Sequence, residues 1–166
     1  MVESISAQLK DAALRLSEAC NRGKNRILKH KSVAHVTNPL DYAWEFHEQF
    51  IDKWSGFGAT TLLLGMNPGP YGMAQTGVPF GATAMARDIL QIEERDVQTP
   101  PGAHPKRPIE GLSMGRQEVS GTRFWSMLSD HYGSTEAIFS NIFVVNHCPL
   151  LILGYTGRNV TPDDLP

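Results

Sequence analysis

"TTLLLGMNPGPYGMAQTGVPFG", residues 60–81, sets a short apolar run directly against a loop that holds five glycines and three prolines between Gly65 and Gly81. The run is continuous rather than alternating, the pattern of a strand covered on both faces. The loop that follows has no charged side chain. Proline fixes φ and glycine permits close backbone approach, so a loop of this composition holds one shape. A phosphate cradle is the first reading of glycines between a strand and a helix, but the spacing does not match. "GMNPGPYGM" is neither G-x-G-x-x-G nor the Walker pattern, and Pro68 and Pro70 remove amide donors that a cradle needs. A rigid, uncharged pocket whose remaining amides and carbonyls face a small planar ligand fits better.

Working outward, "AIFSNIFVVN" (137–146) reads as a second buried strand that also runs into a loop, "HCP". Helical patterns surround both. Residues 4–21 place Ile5, Leu9, Ala12, Ala13, Leu16, Ala19 and Cys20 on one face, with Ser4 or Ser6 as N-cap and Gly23 as stop. "NPLDYAWEFHEQFIDKW" (38–54) predicts a helix behind Pro39, with His47 as a packing residue. "ATAMARDILQI" (82–92) suits a third, residues 93–116 form a proline-rich excursion, and "SGTRFWSMLSDHYG" (120–133) reads as a helix capped by Ser120 and closed by Gly133. Strands alternating with helices predict an α/β fold with a parallel sheet, and ligands bind beyond the carboxyl ends of such strands. "NVTPDDLP" (159–166) announces a helix with Thr161 as cap and Pro162 in the first turn. The chain is therefore expected to be one domain, 1–166, and an incomplete copy of a longer one at its C-terminus.

Composition narrows the function. The chain is 41% hydrophobic and 19% charged, as in ordinary globular proteins, and no apolar stretch is long enough to cross a bilayer. Two cysteines, Cys20 and Cys148, exclude a disulfide framework and a four-cysteine metal site within this chain, and reduced intracellular thiols are the expectation. A net charge of -2 gives no general attraction to polyanions. "RGKNRILKHK" (22–31) is basic throughout, and its plainer reading is a solvated helix end.

No Asp or Glu lies between Asp52 and Asp88 or between Glu136 and Asp163. The pocket is thus expected to be free of acids, which argues against paired-carboxylate sugar hydrolysis and Mg²⁺-dependent nuclease chemistry. The polar groups left are amides: Asn67 in the first loop, and Asn146, followed by His147, in the second. A carboxamide offers donors and an acceptor in one plane, the complement of a nucleobase edge. Each asparagine alone reads as a turn cap and Phe80 alone as core. Together, two amides, an aromatic ring and a stiffened backbone at strand ends describe a nucleobase pocket.

"GMNPGPYGMAQTGVPFG", "HPKRPIEGL", "EVSGTRFW", "VVNHCPLLIL" and "GRNVTPDDLP" together resemble the single-strand-selective monofunctional uracil-DNA glycosylases over most of residues 60–165. The Asn-Pro-Gly core is also similar to that of the mismatch-specific uracil and thymine glycosylases. The resemblance implies a three-layer fold with a central parallel four-stranded sheet flanked by helices, its last strand and helix missing here. It implies monomeric, cofactor-free, metal-free excision of uracil and some 5-substituted uracils from single- and double-stranded DNA, leaving an abasic site. The location implied is intracellular, in the cytoplasm of a bacterium or the nucleus of a eukaryote, without membrane attachment. By resemblance Phe80 stacks on the base, Asn146 reads its Watson–Crick edge, and Asn67 positions the hydrolytic water. Met66, Gly69 and Met73 line the pocket near the base and shape tolerance at C5. The family's His-Pro-Ser-Pro segment, which supplies a histidine to uracil O2, has no counterpart in these residues, and His147 is not that histidine. The alternatives are a non-catalytic uracil- or single-strand-binding module of the same fold, and a mismatch-specific thymine/uracil glycosylase.

Overall fold

The computed structural model describes residues 3–165. Helix α1 spans Ile5–Ile27, with the Ser4 hydroxyl accepting from the Ala7 N–H at 3.1 Å. The expected stop at Gly23 is corrected: the helix runs through it to Ile27, and the first part of the basic stretch forms its last turn, with Lys24 and Arg26 complementing the negative end of the dipole. The segment 38–54 breaks at Ala43 into α2 (Pro39–Tyr42) and α3 (Trp44–Trp54), behind β1 (His35–Thr37). The Asn38 side chain caps α2 by accepting from the Leu40 N–H.

The opening stretch supplies β2 (Thr61–Gly65) and then α4 (Met73–Thr76), followed by α5 (Thr83–Asp88). Helix α6 spans Val119–Tyr132 and closes on Gly133 at φ 78°, but its N-cap is Glu118 rather than Ser120. The expected strand 137–146 is shorter, because its first three residues belong to a helix. Ser134 caps α7 (Thr135–Phe139), and only Ile142–Asn146 forms β3, because Ser134 accepting from the Ala137 N–H nucleates a helical turn first.

Strands β2 and β3 pair in parallel with Leu63 opposite Val144 and Gly65 opposite Asn146. A second pair is antiparallel: β1 lies against β4 (Leu151–Leu153), which the sequence reading did not foresee. The fold is mixed α/β. Among the described residues, parallel pairing is confined to β2 and β3, so a single four-stranded parallel sheet is not what they form. Nor is β2 covered on both faces. Leu63 packs against the core, while Leu62 and Leu64 point away from it and remain more than half exposed.

The main core gathers Phe46, Phe50 and Trp54 of α3, Trp125 and Leu128 of α6, and Phe139 of α7. Buried indoles need acceptors, and both find them: Trp54 Nε1 donates to the Leu90 carbonyl at 2.8 Å and Trp125 Nε1 to the Phe80 carbonyl at 3.1 Å. His47 is a buried packing residue as expected, bonded through Nδ1 to the Gly77 carbonyl at 2.8 Å. No helix among the described residues is long and apolar enough to cross a membrane.

Candidate active site

Parallel register brings the two sequence-predicted loops together. Because Gly65 stands opposite Asn146, both loops leave neighbouring strand ends, and the pairing continues past them with His147 N–H donating to Gly65 O (2.8 Å) and Cys148 N–H to Met66 O (2.9 Å). A Cβ at position 65 would stand 2.2 Å from Asn146 Oδ1 and 2.9 Å from Phe80 Cε2. Only glycine leaves room for both side chains.

The glycine loop is held from several sides. Gln75, fully buried, donates to the carbonyls of Pro70 (2.8 Å) and Pro108 (2.9 Å) and accepts from the Glu110 N–H (2.8 Å). Tyr42 Oη donates to the Ala74 carbonyl at 2.7 Å. A satisfied buried network of this kind gives the loop one arrangement. Phe80 is left-handed at φ 54°, a conformation that costs a non-glycine residue on the order of 1 kcal/mol or more. Its carbonyl accepts from Trp125 Nε1 and from the Ala82 N–H, which fixes it there. The half-buried Phe80 ring stacks on Phe124 with centroids 4.2 Å apart and planes 16° apart.

Phe80, Asn67 and Asn146 line one cleft of about 320 Å³, together with Met66, Gly69 and Met73. All six residues expected at the site are therefore brought together. Asn146 Nδ2 donates to Met73 Sδ at 3.1 Å; a thioether is a weak acceptor, so this bond orients the amide and yields readily to a carbonyl oxygen. Met66 is half exposed at the rim, Met73 is buried, and His147 is exposed and does not line the cleft.

Three lining or supporting residues escaped sequence reasoning. Asn67 Nδ2 lies 3.4 Å from Asn159 Oδ1, a partner on the tight loop after β4. That loop is closed by Gly154 N–H donating to the Arg158 carbonyl at 2.9 Å. Ser120 and Glu118 also line the cleft. The expectation of an acid-free pocket is corrected by Glu118: the two loops carry no acid, but the N-terminus of α6 delivers one between them. Burial pushes its carboxyl up to about 7. The one trace of it in the sequence is the pair Gly69 and Gly72, which leave room for an outside side chain; nothing around residue 118 points to it.

Arg116 stands over the Tyr71 ring at 4.2 Å and donates to Tyr71 Oη at 3.1 Å, while Arg107 lies 5.5 Å from the same ring. Two cations thus flank an aromatic residue of the glycine loop. Chemically, the cleft offers an aromatic face, a carboxamide for a polar edge, a second carboxamide able to hold a water, and one carboxyl group.

No family model matches the chain. Curated relatives do. It is 49% identical over 134 residues to the single-strand selective monofunctional uracil DNA glycosylase of Bos taurus, covering 81% of this chain and 49% of that protein. The Rattus norvegicus protein of the same name is 42% identical over 166 residues, 100% of this chain and 59% of that one. The Mus musculus protein is 48% identical over 134 residues, 81% and 48%. The chain spans about half the length of the curated relatives it matches. Among solved structures, Pedobacter heparinus SMUG2 is similar in fold, with a TM-score of 0.50 at 18% identity over 88% of this chain and 59% of that one.

Proposed function

We propose, from its 42–49% identity to single-strand selective monofunctional uracil-DNA glycosylases over 81–100% of its length, that this chain belongs to that family and that the whole protein hydrolyses the N-glycosidic bond of uracil in DNA and leaves an abasic site. The observation that carries the reading is the convergence of Asn67, Phe80 and Asn146 on one cleft at the ends of β2 and β3. A glycosidic bond inside a duplex is out of reach, so the nucleotide is extruded into the cleft or taken from a single strand. Phe80 supplies a face for stacking, its other side braced by Phe124. Asn146 donates to uracil O4 and accepts from N3–H. Cytosine reverses both groups, so a fixed amide meets donor with donor and acceptor with acceptor.

Asn67 is an amide and a poor base. It orients the attacking water without removing its proton, and the C–N bond then breaks largely before water adds. Negative charge builds on the departing uracil, and donors already in place at O2 lower that barrier most effectively. We assign that part to a histidine of the kind the family's His-Pro-Ser-Pro segment supplies, and read the parallel pair of β2 and β3 as part of a four-stranded parallel sheet. Additional strands and helices beside β2 would cover Leu62 and Leu64. The whole protein is read as a monomer that needs no cofactor and acts on intracellular DNA, in the nucleus if its host is a eukaryote.

The test is incubation of the full-length protein with a uracil-containing oligonucleotide, followed by alkali. Strand breaks at the uracil position are expected. Intact strands, with binding retained, would favour the non-catalytic reading instead.

A further inference from the structure

Asn159, whose Oδ1 meets Asn67 at 3.4 Å, also lines a second cleft, of about 530 Å³, to which the glycosylase reading gives no task. Two turns form it: residues 30–32, just past α1, and residues 154–160, which follow β4. The turns are fastened to each other. Ala34 N–H donates to the Leu153 carbonyl at 2.8 Å, and a Cβ at Gly154 would stand 3.2 Å from the Ser32 carbonyl oxygen, so the chains meet backbone to backbone. The buried His104 holds the second turn as well. Its Nδ1 accepts from the Lys106 N–H at 3.0 Å, which leaves Nε2 to donate to the Tyr155 carbonyl at 3.2 Å. The walls of the cleft are thus set by main-chain contacts, and its exposed side chains are left for something else.

Those side chains are an aromatic ring and cations. Tyr155 is 74% exposed, and Lys31 and Arg158 are exposed beside it in the same lining. Elsewhere in the chain Lys10, Arg15, Arg22, Lys53, Arg87 and Arg95 each have an Asp or Glu oxygen within 4.0 Å. Among the described residues Lys31 and Arg158 have none. The acid in the lining, Asp164, is turned into its own helical turn, where its Oδ2 accepts from the Thr161 N–H at 3.1 Å and from Thr161 Oγ1 at 3.0 Å. Its charge offsets one cation, and the lining stays net positive. Arg107 adds to this from behind the turn: a Cβ at Gly157 would stand 3.3 Å from its Cζ.

The inference rests on the uracil-excision reading. We propose that this cleft is a subsite for a nucleotide flanking the everted uracil in a single strand, with Tyr155 stacking on its base and Lys31 and Arg158 holding its phosphates. A cationic groove with an exposed aromatic platform is the combination that binds single strands, because every base has a face to stack and every linkage a charge. The Asn67–Asn159 contact makes the subsite continuous with the cleft where the glycosidic bond is cut. A neighbour inside a duplex is held by its own stack and its own partner, so the subsite engages unpaired strands. An acidic peptide would meet the same cations but brings no planar face for Tyr155.

The experiment uses the full-length protein and single-stranded oligonucleotides with one uracil between short or long flanks, with KM and kcat measured for each. Anisotropy of a labelled oligothymidine, which holds no uracil, reads the groove without the chemistry. Long flanks are expected to lower KM in the wild type. Tyr155→Ala should remove about tenfold of that gain, and Tyr155→Phe should keep it. Lys31→Gln and Arg158→Gln should each take about 0.7 from the salt slope of log K for oligothymidine. All three side chains are exposed, so these variants leave the core untouched. A Tyr155→Ala protein with the flank dependence of wild type, or unchanged salt slopes in both charge variants, would overturn the subsite and leave uracil excision standing. Polyglutamate that displaces oligothymidine as well as an oligonucleotide of equal charge would overturn it in favour of an acidic protein partner. A wild type that excises no uracil, yet binds oligothymidine with the expected losses in the variants, would keep the groove and remove the glycosylase reading.

Discussion

The side-chain amides of Asn67 and Asn159 meet at 3.4 Å, Nδ2 to Oδ1, although 92 positions separate them in the chain. The residue expected to hold the reacting water is thereby tied to the loop after β4. A donor pinned to Asn159 leaves the Asn67 oxygen to turn toward water. Removing Asn67 itself, as Asn67→Ala, is expected to lower kcat about 100-fold or more. Asn159→Ala should lower kcat about tenfold with KM nearly unchanged, and Asn159→Asp, which retains an acceptor, should recover most of the loss. Single-turnover excision by the full-length protein separates these. An Asn159→Ala change that raises KM alone would assign Asn159 to strand binding instead.

Gly65 makes a sharper demand. Its φ is not left-handed, so an added methyl group strains no backbone, yet it would stand 2.2 Å from Asn146 Oδ1 and 2.9 Å from the Phe80 ring. Gly65→Ala is expected to displace Asn146 and Phe80 together and, on the proposed reading of their roles, to lower excision about 100-fold or more. Stability should change by only about 1–2 kcal/mol. Thermal melting read beside activity tests this, and full activity would mean that Asn146 and Phe80 do not need their present positions.

Two buried groups give opposite pH slopes. Burial lowers His47 to about 4 from its ordinary 6.5, so between those values the unfolded chain holds a proton that the folded one does not, and stability falls as pH drops through that window. Glu118 is raised to about 7 from 4.5; there the folded state holds the extra proton, and stability falls as pH rises through that window. His47→Asn should flatten the acid limb by on the order of 2 kcal/mol. Glu118→Gln should gain about 1–2 kcal/mol on wild type between pH 4.5 and 8, a discounted figure because solvent reaches part of the group. Urea melts across pH 4–8 measure both. Parallel curves for wild type and either variant would contradict the assignment of that residue.

On the proposed reading, Arg107 and Arg116, both against the Tyr71 ring, meet the phosphates next to an everted nucleotide. Each Arg→Ala change should weaken binding of a single strand without altering base preference. The salt dependence of log K should lose about 0.7 per contact, as expected for single strands. Fluorescence anisotropy at several salt concentrations reads the slope. A slope that does not change would leave the two arginines as braces for Tyr71 only.

The parallel pair and its two loops were legible because glycine, proline and apolar runs report strand ends directly, and Asn67, Phe80 and Asn146 fell into place with the Gly65–Asn146 register. What was not legible depended on partners distant in sequence. Glu118 enters the cleft only because α6 docks its first turn against Gly69 and Gly72, which no local pattern around residue 118 encodes. Asn159 reaches Asn67 only through the antiparallel pairing of β4 with β1, two strands of three residues each and too short to show a period. The misread strand at 137–141 shows the same limit in reverse: an apolar run of that length is equally a buried helix turn, and the Ser134 cap decides it.

The bare outer face of β2 also governs how these residues behave in bulk. Leu62 and Leu64, 62% and 61% exposed on a strand paired along one side among the described residues, form an adhesive strip whose backbone groups invite a further strand. Handled alone, such a surface makes colloidal behaviour a matter of concentration. Scattering that climbs with protein load and subsides on adding mild detergent would mark this strip, and not the cleft, as the place where molecules cling.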